Sequence, residues 1–318
     1  MTKDELIWGF MVQLGHNMWG EAPLIGEPKP EERDRYAQPF NRTDVKVWNE
    51  ITEYYAKKGA NLVLIDLGEG LQYPSHPELA VKGSWSPERM KEEIVRLKDL
   101  GLEAIPKLNF SACHDAWLKD YSRMLATPEY YNVCADVIHD VCEIFDRPRL
   151  LHLGYDEENF GNQREYAYAV IRQGELWWHD FNFFVKTVEK LGMRPWIWSD
   201  YIWRHKDEFL KRMPKSVMQS NWYYRQWFDL ETIPKERRVH LESFLMLEKA
   251  GFDQIPCGSN WACDENIAGL VRFCRKNIAP ERLHGFLMTT WGGTLPSCEA
   301  KLARGIDLAA AAWSCPRV

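Results

Sequence analysis

Short apolar runs alternate with stretches of helical spacing along most of the chain. Leu6–Leu14 reads as a first strand and runs into Gly15-His16-Asn17-Met18-Trp19-Gly20. Thr43 is placed to cap a helix to about Lys58, with Val45, Trp48, Ile51 and Tyr55 on one face and Gly59 ending it. Asn61–Leu67 is the second strand, with Asp66 at its end. Ser86-Pro87-Glu88 starts a helix that stops at Gly101. Leu102–Phe110 is the third strand, followed by Ser111-Ala112-Cys113-His114. Thr127-Pro128-Glu129 starts the next helix, through Val133, Val137, Val141 and Ile144. Leu150–Leu153 is a fourth, buried strand running into Gly154-Tyr155-Asp156-Glu157-Glu158. A helix from Gly174 to Leu191 carries Leu176, Trp177, Phe181, Phe184, Val185 and Val188. The fifth strand is Arg194–Trp198, ending in Ser199-Asp200, and the sixth is Ser216–Ser220, ending in Asn221-Trp222-Tyr223-Tyr224. A short seventh is expected at Asp253–Pro256 with Asn260-Trp261 beyond, and the eighth at His284–Thr289 before Thr290-Trp291-Gly292-Gly293. An Ala-rich helix covers about Cys298 to Trp313.

Strands alternating with helices imply a parallel sheet, and eight such units closing on themselves give a single-domain (β/α)8 TIM barrel over residues 1–318. Long loops are expected over the mouth at about 20–42 and 68–85. No linker, composition shift or repeat divides the chain.

In such a barrel the C-terminal strand ends share one face. That gathers His16, Asn17, Trp19, Asp66, Asn109, His114, Asp156, Glu157, Trp198, Asp200, Asn221, Trp222, Trp261 and Trp291 into one candidate pocket. The chain holds 15 Trp, 14 Phe and 13 Tyr, and indoles at several strand ends suit a sugar, whose C–H faces stack on rings while its hydroxyls meet carboxylates. Adjacent carboxylates with split roles are the equipment of glycoside hydrolysis. His152 lies inside its strand, where a hydrogen-bonded core role competes with a functional one. Trp177 and Trp178 sit mid-helix as core residues.

The formal net charge of −6, with no basic block, argues against nucleic acid. Cysteines at 113, 134, 142, 257, 263, 274, 298 and 315 show no CxxC or zinc-finger spacing and read as free, buried thiols. Nothing calls for a cofactor. Met1-Thr2-Lys3-Asp4-Glu5-Leu6 has no apolar signal core, and no stretch spans a membrane, so the chain reads as cytoplasmic as given, or as secreted with a leader removed. The oligomeric state is not encoded in any visible pattern.

His152-Leu153-Gly154-Tyr155-Asp156-Glu157 resembles the His-x-Gly-Gly-Asp-Glu signature of family 20 glycoside hydrolases, the β-N-acetylhexosaminidases. Ala104-Ile105-Pro106-Lys107-Leu108 is similar to that family's third strand, Trp198-Ser199-Asp200 to its fifth, and Trp222 and Trp291 to the tryptophans after strands six and eight. The resemblance implies Glu157 as general acid/base and Asp156 as the residue orienting the substrate's 2-acetamido group, whose carbonyl oxygen acts as nucleophile. Trp222 and Trp291 would wall the terminal sugar. The chain departs from the family where the latter has an Arg after strand one (here His16-Asn17), a Glu after the strand-eight Trp (here Gly292-Gly293-Thr294) and a strand-seven Tyr (here near Asn260-Trp261). The second Gly of the signature is Tyr155.

Other readings stay open at this point. A glycosidase using a protein carboxylate would draw on Asp200 or Asp66. A carbohydrate-binding barrel would bind without turnover. A metal-dependent hydrolase would use His16, Asp66, His114 and Asp156, although no HxH or HExxH spacing supports it.

Overall fold

The computed structural model of the chain describes residues 6–20, 36–163, 166 and 168–314. In order, the elements are β1 (Ile7–Gln13), α1 (Val45–Lys57), β2 (Leu62–Asp66), α2 (Pro87–Asp99), β3 (Glu103–Lys107), α3 (Pro128–Ile144), β4 (Leu150–His152), α4 (Gly174–Lys190), β5 (Arg194–Trp198), α5 (Lys206–Arg212), β6 (Met218–Ser220), α6 (Arg238–Lys249), β7 (Cys257–Ser259), α7 (Asn266–Asn277), β8 (Gly285–Thr289) and α8 (Glu299–Trp313). All named strand pairs are parallel, in the order β6-β5-β4-β3-β2-β1-β8-β7. Bridges Gln219↔Gln254 and Trp222↔Cys257 join the two ends, giving a near-closed TIM barrel in one domain.

Successive strand residues point to opposite faces, and the chain uses both. Leu62 and Leu64 face inward with Ile7, Met11, Ile105, Leu150, Trp196, Trp198, Met218 and Leu287. Val63 and Ile65 face outward, in the layer shared with Phe10, Val12, Leu151 and the buried helix faces. Both sides are apolar because both are buried, hence the near-continuous apolar runs of the sequence. Counting by twos, the inward column of β4 runs Leu150, His152, Gly154, Asp156, and that of β2 runs Leu62, Leu64, Asp66.

Ser86 and Thr127 cap α2 and α3 through bonds from Arg89 N and Tyr130 N, each worth about 1 kcal/mol. The cap of α1 is Asp44, which accepts from Val47 N. Thr43 instead donates to Leu14 O at 2.8 Å, fastening the helix start to the end of β1. The seventh strand lies at Cys257–Ser259, beyond the expected 253–256. Pro256 blocks a ladder there, and residues 253–255 make only the bridges and bonds that close the seam against Gln219. Of the expected mouth loops, residues 21–35 lie outside the described residues. Phe40 and Asn41 bridge Lys82, tying the described end of the first loop to the second. Trp177 and Trp178 are core, as expected. The cysteines at 113, 134, 142, 257, 263, 274 and 298 are free, and Cys315 lies outside the described residues. No described helix is long and apolar enough to cross a membrane.

Candidate active site

Beyond β4 the chain leaves the strand through an unusual backbone. Gly154, Tyr155 and Glu157 all have positive φ, at 70°, 72° and 54°. Gly154 is obligatory, because a Cβ there would meet Asn109 Oδ1 at 2.0 Å. For Tyr155 and Glu157 the left-handed conformation costs roughly 1–2 kcal/mol each, a strain typical of functional segments. Its effect is visible. By strand alternation Glu157 would face the helix layer, as the buried Tyr155 does. Instead its carboxylate lies 3.4 Å from His114 Nε2, with the side chain 42% exposed at the mouth.

Asp156 keeps the inward direction and is buried. Asn109 Nδ2 donates to its Oδ1 at 2.9 Å, and His114 Nε2 lies 3.6 Å from its Oδ2. Asn109 is itself fixed: its Oδ1 accepts from Ser111 N (3.0 Å) and Tyr155 N (3.3 Å). His114 is buried, which alone would lower its pKa, but the Asp156 and Glu157 carboxylates outweigh burial and hold it near 9. It is therefore a cation at neutral pH.

Asp200, just past β5, accepts from Glu157 N at 2.9 Å and from Trp222 Nε1 at 3.4 Å. Burial, reinforced by the charge of Asp156, raises its pKa to about 8 against the pull of the Glu157 N–H. Trp222 stacks on Tyr224 (4.9 Å between centroids). Trp291 closes the wall, 6.0 Å from Trp198 and with φ at 52°. The Tyr224 hydroxyl lies by Thr289 and the Trp291 indole, and burial raises its pKa.

The structure brings Asp156, Glu157, Asp200, His114, Asn109, Trp222 and Trp291 together at the mouth, and the remaining candidates have other duties. His16 accepts from Thr294 N through Nε2 at 3.2 Å, and burial, aided by the charge of Arg42, lowers its pKa to about 3. Asn17 exchanges two 2.9 Å bonds with the Gln38 backbone. Both have their N–H held by buried Glu69. Asp66 points into the barrel and pairs with buried Lys107 at 2.5 Å. Asn221 is an odd step from the inward Ser220, so it faces outward, bridging Trp203 Nε1 (2.9 Å) and His240 O (2.8 Å). Trp198 is 1% exposed and belongs to the barrel core beneath Trp291. Trp261 is 60% exposed on the loop after β7, with the Lys301 ammonium 4.4 Å over its ring. Trp19 is partly exposed near the end of β1. His152 is a core residue, accepting from Gly154 N at 2.9 Å.

The metal set His16, Asp66, His114 and Asp156 does not form, since His16 and Asp66 are spent on Thr294 and Lys107. His114, Asp156 and Glu157 do present ligand atoms within 4.8 Å of one another. A proton on His114 opposes metal there at neutral pH.

The sequence reading missed three groups. Tyr224 lies two residues past Trp222, on the same inward column. Lys107 is a lone cation in an apolar strand, the signal of a buried partner. The third is a clasp around the acids. Buried Arg172 donates from Nε (2.9 Å) and Nη2 (2.7 Å) to Glu158, from Nη1 to Tyr155 OH (2.9 Å) and from Nη2 to Phe110 O (2.6 Å). It joins the residues on either side of Asp156-Glu157.

The C-terminal strand ends of a near-closed barrel thus carry carboxylates, a buried histidine and indoles on one face. No protein-family model and no curated protein sequence matches the chain. Among solved structures, a β-N-acetylhexosaminidase from Bacteroides fragilis matches with a TM-score of 0.65 at 14% identity, over 97% of this chain and 65% of that one. Dispersin B matches with a TM-score of 0.62 at 14% identity, over 96% and 99%. The family 20 exo-β-N-acetylglucosaminidase of Vibrio harveyi, in complex with N-acetylglucosamine, matches with a TM-score of 0.59 at 13% identity, over 95% and 54%. The chain thus spans less than two thirds of the Bacteroides and Vibrio chains and nearly all of Dispersin B. The shared property is the fold of the catalytic barrel.

Proposed function

We propose that the chain is an exo-acting, retaining glycoside hydrolase for β-linked 2-acetamido sugars, with Glu157 as general acid/base and Asp156 orienting the acetamido group. The observation that carries this reading is the split between neighbours. Asp156 is buried and fixed by Asn109, while Glu157 is turned back to the mouth and half open to solvent. One is built to hold, the other to exchange a proton.

In the first step the acetamido carbonyl oxygen attacks C1 and the C1–O bond to the leaving group breaks. Glu157 gives its proton to the departing oxygen. The resulting ring carries positive charge, and Asp156 accepts the hydrogen bond of its N–H. In the second step water attacks C1, Glu157 takes its proton and the acetamido group is restored. This is the substrate-assisted exception among retaining enzymes. Trp222, Trp291 and Tyr224 wall the sugar, the phenol within reach as a donor to the carbonyl. With His16 and Asn17 bonded into the scaffold, recognition of the outer hydroxyls falls to other residues.

A second reading rests on position: Asp200 accepts from Glu157 N at 2.9 Å beside the two acids, and a protein-carboxylate mechanism would use its ionised form, which burial disfavours by raising its pKa to about 8. Asp66, neutralised by Lys107 inside the barrel, is no candidate nucleophile. Release of nitrophenol from aryl glycosides with and without a 2-acetamido group separates the readings. Turnover is expected on 2-acetamido sugars alone, falling roughly 10²–10⁴-fold in Glu157→Gln and steeply in Asp156→Asn. Turnover of plain glycosides would move the nucleophile to Asp200, and tight sugar binding without turnover would make the barrel a lectin.

A further inference from the structure

Past β5 the chain makes one short helical turn, Asp200–Trp203, and both ends of it touch the site. At its start Asp200 divides its two carboxylate oxygens between different elements. Oδ2 accepts from Glu157 N at 2.9 Å and Oδ1 from Trp222 Nε1 at 3.4 Å. At its end the Trp203 ring meets Trp222 edge-on, 4.4 Å between centroids, and Trp203 Nε1 donates to Asn221 Oδ1 at 2.9 Å. The indole that walls the sugar is thus braced by the same turn that holds the backbone of the acid. The carbonyl of Glu157 is pinned as well, by Asn159 Nδ2 at 2.8 Å and Asn162 Nδ2 at 3.0 Å. With φ at 54°, the residue aims its side chain by how its own amide is held.

We propose that Asp200 is a positioning residue that sets Trp222 and Glu157 relative to each other, so that a sugar seated against the indole meets the proton donor at its leaving oxygen. The inference deepens the reading above and rests on Glu157 as that donor. Covalent geometry fixes the separation of two carboxylate oxygens. The amide N–H and the indole N–H that share them therefore do not drift independently. The contact to Trp222 is the longer one, as is common before a substrate closes a site. A misplacement of about 1 Å can cost about 10²-fold in rate. That loss falls on the proton transfer, because Asp156 has its own anchor in Asn109.

The test compares kcat/KM on two substrates that share the acetamido sugar. One is the β-linked disaccharide of N-acetylglucosamine, whose leaving alkoxide needs a proton. The other is the dinitrophenyl glycoside, whose phenolate departs without one. This parameter reports only the steps up to departure of the leaving group, so the later role of Glu157 as a base does not enter. In Asp200→Ala the disaccharide is expected to lose at least about tenfold more than the dinitrophenyl glycoside. Trp222→Phe keeps a ring but removes the indole N–H. It should shift the ratio in the same direction, and adding Asp200→Ala to it should add little. Equal losses on both substrates, as a nucleophile or a general loss of packing would give, overturn the proposal, and so does an unchanged ratio in Trp222→Phe. Hydrogen exchange of the segment Gly154–Asn159 reads the coupling without chemistry. Faster exchange in both Asp200→Ala and Trp222→Phe supports it even if the wild type turns nothing over, which would count against the catalytic reading alone. Exchange altered in neither variant, or in Asp200→Ala only, refutes the coupling itself.

Discussion

Replacing Arg172 by Met removes the clasp while keeping most of its volume. Four hydrogen bonds at 2.6–2.9 Å leave the Tyr155 hydroxyl, the Glu158 carboxylate and the Phe110 carbonyl without their cation. Asp180 Oδ2, 3.5 Å from Nη1, loses its counter-charge as well. Removing one partner of a fully buried ion pair costs about 3–5 kcal/mol. Glu158 would still accept from Arg172 N (2.6 Å) and Ala112 N (3.2 Å), which favours the lower half of that range. The Tyr155 and Phe110 oxygens add about 1 kcal/mol each as buried acceptors left unmet, so the loss comes to about 5–6 kcal/mol. Urea unfolding of wild type, Arg172→Met, Glu158→Gln and the double variant closes a thermodynamic cycle. The double variant should be less destabilised than the two single losses summed, by at least about 1 kcal/mol. Arg172→Lys should recover little, because an ammonium cannot reach three acceptors as a planar fork does. A loss below about 1 kcal/mol in Arg172→Met, or strict additivity, would refute the view that this side chain holds the strained segment in place.

Lys107→Met should cost about 3–5 kcal/mol by stranding Asp66, and adding Asp66→Leu should return most of it; a single variant as stable as wild type would show that the pair is dispensable. Asp200 has a folded pKa of about 8 against an ordinary value of 3.8. The folded chain therefore binds this proton more tightly than the unfolded one, and its contribution to stability is full below about pH 4 and declines as pH rises toward 8. Asp200→Asn should flatten that part of the stability–pH curve, and an unchanged slope would contradict the burial argument. The loss forecast for Glu157→Gln completes the set.

The barrel was readable because each strand is buried on both faces, which writes apolar runs, and because Ser-Pro-Glu and Thr-Pro-Glu mark helix starts without ambiguity. Asp156, Glu157 and Asp200 were readable as carboxylates at strand ends. Parity accounts for much of the remainder. Asn221 and Trp222 are neighbours, but only Trp222 and Tyr224 are an even step from the inward Ser220, so Asn221 serves a helix. Asp66 has the right parity and the wrong depth, since Lys107 at the same level of β3 claims it. His16, Asn17 and Trp261 lie where the chain has left the strand and alternation no longer assigns a face. The Arg172–Glu158 pair spans a loop, and no local pattern announces a contact of that kind.

The backbone reversal at Glu157 sets persistence against reactivity. A left-handed residue with a long side chain is one the fold would be better off without. Glycine there would relieve roughly 1–2 kcal/mol of strain and lift a carboxylate from a crowded acidic site. A lineage drifting under selection for durability alone would be drawn to shed this residue early. Holding a carboxylate in so costly a pose exchanges stability for its exposure at the mouth.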